Sequence, residues 1–194
     1  MPHNLLHGHL KIRHNRKGAE MKKRKIAMLV MTGVLLTGCM GTNYLEEGVS
    51  QLEEKQYEEA SKSFQKEIDE EKNLDEAYRG MGIAYFEMEE FEKAIDAFGE
   101  ALDNGAEETA TLYNFIGISN MKMENYEEAV SAFEKGMSME DCSDTMKREM
   151  LFNTVVSYEK LGDWDNAKEK VSEYNEQYPG DSKAEKEAEF LETR

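Results

Sequence analysis

Past residue 14 the chain contains no histidine; His3, His7, His9 and His14 are all it has. Imidazole acid–base chemistry and His-ligated zinc are thereby excluded from everything downstream. Cysteine is nearly as scarce, with Cys39 and Cys142 too few for a disulfide framework, so each needs its own explanation. Proline occurs only as Pro2 and Pro179, leaving a long interior without the residue that most reliably breaks helices. No apolar run reaches the roughly 20 residues that a membrane-spanning helix needs. Basic charge is the last scarcity: after Cys39 there are 16 Lys and Arg against 40 Asp and Glu, a net charge of −24. Such a surface repels phosphate backbones and anionic headgroups, which excludes nucleic-acid binding and leaves membrane association to an anchor.

Catalytic signatures are missing as well. There is no glycine-rich phosphate loop, dinucleotide fingerprint or nucleophile–base pair. Carboxylate runs such as Glu67-x-Asp69-Glu70-Glu71 are spread around a helix by its periodicity and lack the turn glycine of a calcium loop, so they read as solvated faces. Neither an enzyme nor a resident cofactor is expected.

What is present begins with Met21-Lys22-Lys23-Arg24-Lys25, a basic stretch followed by the apolar run Ile26 to Leu36 and then Leu36-Thr37-Gly38-Cys39. The run is too short to span a bilayer and reads as an export signal over residues 21–38. Its last four residues resemble the lipobox of bacterial lipoproteins. That resemblance implies diacylglycerol, and an N-acyl lipid after cleavage, on Cys39, with residues 39–42 as a short tether and the protein held on the extracytoplasmic face of the cell membrane. Met40 follows the cysteine where Asp would retain a lipoprotein, so in a two-membrane cell the outer membrane is permitted. Residues 1–20 are rich in histidine and precede a methionine that opens a complete signal; they are expected to be an upstream extension, with translation starting at Met21.

The exported part repeats. Gly48, Tyr57, Ala60 and Phe64 recur as Gly82, Phe91, Ala94 and Phe98 and again as Gly117, Tyr126, Ala129 and Phe133, with glycine steps of 34 and 35 residues. A looser fourth copy runs through Tyr158, Gly162, Trp164, Ala167 and Val171, with Ala129 and Ala167 38 apart. This pattern resembles the tetratricopeptide repeat, a pair of antiparallel helices with small residues where they cross. The resemblance implies an all-α, right-handed superhelical solenoid: repeats at 43–74, 75–109, 110–143 and 144–180, and a capping helix at 181–194. Glu47 stands where the family prefers Leu, Gln51 where it prefers Tyr, and Val155 where it prefers Gly. Local signals agree: Asn43 and Asn73 sit as N-caps with Glu46 and Glu76 three residues on. Lys55-Gln56, Glu89-Glu90, Glu124-Asn125 and Gly162-Asp163 mark turns. Ser182-x-x-Glu185 opens a final helix to about Leu191, where Phe190 and Leu191 would cover the end of the stack.

Aligned to the family, the first helix of each pair projects Leu45, Val49 and Leu52, then Arg79, Ile83 and Phe86, then Asn114, Ile118 and Met121, and finally Phe152 and Val156 into a concave groove. Leu45 and Val49 occupy positions where carboxylate-clamping relatives carry Lys and Asn, so that specialised activity is not implied. The expected function is a lipid-anchored adaptor or scaffold that binds a peptide or helix of another protein in a mainly apolar groove. The alternatives are a structural subunit of an envelope, secretion or pilus assembly, and a Cu(I)-binding lipoprotein using Met137, Met139, Cys142 and Met146, whose soft sulfur atoms suit that ion. Replacing Cys39 by Ala should abolish incorporation of a labelled fatty acid into the protein. Labelling equal to that of the parent would remove the anchor.

Overall fold

The computed structural model describes residues 43–194. The extension 1–20, the signal 21–38 and Cys39 with its tether lie outside the described residues. Within them the chain is helical throughout, with no strand: α1 (Tyr44–Glu53), α2 (Tyr57–Asp69), α3 (Leu74–Glu87), α4 (Phe91–Asp103), α5 (Ala110–Lys122), α6 (Tyr126–Met137), α7 (Asp144–Leu161), α8 (Trp164–Gln177) and α9 (Ser182–Leu191). Each helix packs on the next, and α1, α3, α5 and α7 also touch in succession. The result is an all-α superhelical repeat fold of four helix pairs closed by α9.

The pairs interlock through phenylalanine and glycine. Phe64, Phe98 and Phe133 are fully buried. A methyl group on Gly48 would come within 2.7 Å of the Phe64 ring, on Gly82 within 2.6 Å of Phe98, and on Gly117 within 2.5 Å of Phe133. Each ring therefore fills the space that a missing side chain leaves on the partner helix. Phe64 also reaches the next repeat, filling the place where a Cβ on Gly80 would sit. The fourth pair solves the same crossing differently: Val155 and Val171 are both buried in one cluster. A larger residue in the glycine place is matched by a smaller one in the phenylalanine place, which conserves volume.

The departures in the first repeat are also correlated. Gln51 donates from Nε2 to Glu47 Oε1 at 3.3 Å, and the Ser63 hydroxyl donates to Gln51 Oε1 at 2.8 Å. A polar relay thus stands where the family has Leu and Tyr, and each member satisfies the next.

All four turns within pairs share one geometry. Lys55, Glu89, Glu124 and Gly162 have φ of 61°, 60°, 63° and 72°, and the residue after each donates its backbone N–H to a carbonyl five residues back at 2.8–3.0 Å. This is the Schellman closure, whose left-handed residue is usually glycine. Only the fourth pair uses it.

Capping follows the sequence in part. Asn43 accepts from the Glu46 N–H at 3.3 Å. Asn73, by contrast, sits in the left-handed region at φ 41° and makes no side-chain cap; its Nδ2 donates to the buried Glu67 at 2.7 Å. A buried carboxylate needs a donor more than a helix end facing water does, so it takes the amide. The final helix is capped by Asp181, one residue ahead of Ser182. Leu191 is fully buried against the stack, whereas Phe190 is 40 % exposed and sits under the Arg194 guanidinium at 4.6 Å. Among the described residues no helix is long and apolar enough to cross a membrane.

Gly82→Ala should lower unfolding stability by about 1–3 kcal/mol through overpacking, more than the roughly 1 kcal/mol gained in helix propensity. At Gly99, where an added Cβ meets nothing within 4 Å, the same change should stabilise by up to about 1 kcal/mol. Equal effects at the two glycines in denaturant titrations would refute the interlock.

Candidate functional site

The first helices of the pairs carry the residues expected to line the groove, and helical spacing places them on one face: Leu45, Val49 and Leu52 on α1, Arg79, Ile83 and Phe86 on α3, Asn114, Ile118 and Met121 on α5, and Phe152 and Val156 on α7. They divide into two sets. Leu45, Leu52, Ile83 and Asn114 are buried where successive first helices touch, and Phe152 is buried where α9 covers it. Val49, Arg79, Phe86, Ile118, Met121 and Val156 remain partly exposed and form the accessible stripe. Phe86 is itself held edge-on by Phe91 at 5.8 Å and Phe115 at 4.8 Å, tying the second pair to the third.

Asn114 is the anomaly of this face. It is 2 % exposed, yet its Oδ1 has no hydrogen-bond partner among the described residues. A buried carbonyl left unpaired costs about 1–3 kcal/mol. It shares its helix face with Ile118 and Met121, in the middle of the stripe.

At the fourth pair the face is closed by α9. Lys183 places its ammonium 3.7 Å from the centre of the Phe152 ring, and Phe152 packs edge-on against Tyr174. The turn before α9 is fastened to α7: Arg148 donates from Nε to the Tyr174 hydroxyl at 2.9 Å, Arg148 pairs with Asp181, and the Tyr174 hydroxyl donates to Asp181 at 2.6 Å. Those donors hold the Asp181 carboxyl well below the usual carboxylate range. Glu159 on α7 behaves oppositely. Burial, and then the neighbouring Glu187 of α9, push it up to about 7. The capping helix itself is expected from Ser182-x-x-Glu185, but no repeat position announces these particular contacts, because α9 lies outside the period.

The four sulfur residues Met137, Met139, Cys142 and Met146 do come together, in one apolar cluster with Phe133 and Met150. Met146 and Met150 are buried as core. Burial, with Asp141 beside it, raises the Cys142 thiol above its ordinary value, which opposes the thiolate that a soft metal requires. The longer connection before α7 has a different use, since Asp141 accepts the Ala110 N–H at 3.0 Å and helps cap α5.

Two tetratricopeptide repeat profiles match the sequence, over residues 79–141 and 149–181. The chain is a tetratricopeptide repeat protein. Solved structures agree on the fold. YrrB, described as a tetratricopeptide repeat protein with an unusual peptide-binding site, superimposes with a TM-score of 0.66 at 22 % identity, covering 77 % of this chain and 75 % of its own. MamA superimposes with a TM-score of 0.68 at 17 % identity over 80 % and 82 % of the two chains, and its AMB-1 form with 0.65 at 16 % over 77 % and 79 %. No curated protein matches the chain in sequence. The four helix pairs are thus four tetratricopeptide repeats in fold.

The carboxyls at the closed end predict a pH response. Because the folded value of Glu159 is raised, its contribution is fully present below the ordinary carboxylate range and is lost as pH rises through about 7. Asp181 acts in the opposite sense and loses its contribution only in strong acid. The protection of α9 amides, taken relative to free-peptide exchange, should therefore fall as pH rises from the ordinary carboxylate range to about 7 and level off above it, and Glu159→Gln should flatten that fall. An unchanged profile in the variant would show that Glu159 does not govern docking of α9.

Proposed function

We propose that this repeat protein is a non-enzymatic adaptor, tethered through a lipid on Cys39 to the extracytoplasmic face of a membrane, that receives a peptide or helix of another protein along its first-helix face. The carrying observation is the accessible stripe: Val49, Phe86, Ile118, Met121 and Val156 lie in helical register on four successive first helices and stay partly exposed while their neighbours pack. An apolar strip of this kind, interrupted by Arg79 and bordered by carboxylates, suits the apolar face of an amphipathic segment. The peptide-binding site described for YrrB supports the same use of the fold. The anchor rests on the basic stretch, the apolar run and the Leu36-Thr37-Gly38-Cys39 sequence.

The structure directs the choice of test residues. Ile83 and Phe86 bind repeat to repeat, so charging them would damage the stack. Ile118 and Val156 are better probes. Ile118→Ser with Val156→Ser should keep the helical circular dichroism of the parent yet lose the partners captured by crosslinking in the native cell. Asp96→Asn with Glu100→Gln, on the second-helix side in α4, should keep them. If the groove variant folds and retains every crosslinked partner, binding lies elsewhere on the molecule.

A further inference from the structure

Charge is distributed unevenly along the stripe. On α1 and α3 the carboxylates that share its helical face are Glu46, Glu53, Glu76 and Glu87: Glu46 and Glu53 flank Val49 at spacings of three and four, and Glu76 and Glu87 flank Arg79 and Ile83 in the same way. None of the four takes part in an ion pair among the described residues. Arg79 is the only cation on those two helices. On α5 and α7 the balance changes. Lys122 and Lys160 follow Ile118 and Val156 by one turn, set against Glu149 and the partly protonated Glu159. The stripe is thus strongly acidic over the first two repeats and close to neutral over the last two, with the unpaired Asn114 carbonyl between them.

Resting on the groove reading above, we infer that the occupant is a cationic amphipathic segment: an apolar face that lies along Val49, Phe86, Ile118, Met121 and Val156, and a lysine- or arginine-rich end that sits over repeats 1 and 2. Uncompensated carboxylates raise one another's energy, and a cation brought among them relieves several at once. An acidic segment meets repulsion at the same place, and a second copy of this chain carries the same net −24 after Cys39. The polarity fixes direction as well as class, since only one orientation brings the basic end to Glu46, Glu53, Glu76 and Glu87.

The test uses the full chain and designed helical peptides that share one leucine face and end in a lysine-rich, glutamine-rich or glutamate-rich turn. By fluorescence anisotropy at low salt the lysine peptide should bind about tenfold tighter than the glutamine peptide and the glutamate peptide weakest, with the differences shrinking at high salt. Glu53→Gln with Glu76→Gln should remove most of the lysine advantage and leave glutamine-peptide binding unchanged, while Asp96→Asn with Glu100→Gln on α4 should alter neither. A zero-length carbodiimide crosslink should join the lysine end to carboxylates of α1 or α3. Equal affinity for the lysine and glutamine peptides, or crosslinks to Asp96 or Glu100, would overturn the charge assignment and leave the groove standing. Binding by no peptide, or binding untouched by Ile118→Ser with Val156→Ser, would instead overturn the groove itself.

Discussion

One contact sets the geometry on which everything else depends: a phenylalanine ring seated where a glycine offers no side chain. At Gly48, Gly82 and Gly117 the ring comes closer than any side chain would permit, so two helices cross tightly and the pair becomes rigid. The same ring can bridge repeats, as Phe64 does by also filling the place above Gly80. Where the next repeat has Phe115 instead of glycine at that place, the contact becomes a ring stack with Phe98 at 5.7 Å. Further along, Met150 sulfur lies 2.8 Å from where a Cβ on Gly136 would be, so a flexible thioether serves the crossing of the third and fourth pairs. Stability is then a sum over neighbours, and no pair buries its apolar face alone.

The period, the pairing and the turns were all legible in the chain because each follows from local chemistry. The first residue of each turn pair is the left-handed one, and the last helix runs from Ser182 to Leu191 as its spacing implies. Asn73 was misread because its amide answers to Glu67 on the preceding helix, a partner that capping rules do not consider. Glu47, Gln51 and Val155 could be recognised as departures but not as compensated ones. Their partners, Ser63 and Val171, lie across a helix crossing that spacing along one helix does not reveal.

The candidate site was legible as a list and not as a surface. Spacing places eleven residues on one face, but which of them water can reach depends on how near the adjacent first helices come and on where α9 lies. Leu45, Leu52 and Ile83 are lost to the first cause. Phe152 is covered through the second, by Lys183 from a helix outside the repeat.

Electrostatics gives the two ends of the stack different roles. Ion pairs such as Lys62 with Glu58 or Lys93 with Glu90 are well exposed, and pairs of that kind contribute only about 0–1 kcal/mol each. The cations with structural consequence gather at the far end: Arg148 on Tyr174 and Asp181, Lys183 on Phe152, and Arg194 over Trp164 and Phe190. They close that end with aromatic and charge-assisted contacts. The first helices of the first two repeats carry one cation, Arg79, and Glu46, Glu53, Glu76 and Glu87 on them make no ion pair among the described residues. An acidic protein can spread its charge evenly and gain solubility at little cost. Here the cations that fasten helices together lie where the stack is sealed, while Glu46, Glu53, Glu76 and Glu87 beside the open stripe stay without ion pairs among the described residues. On the proposed groove reading a cationic occupant is what would pair them.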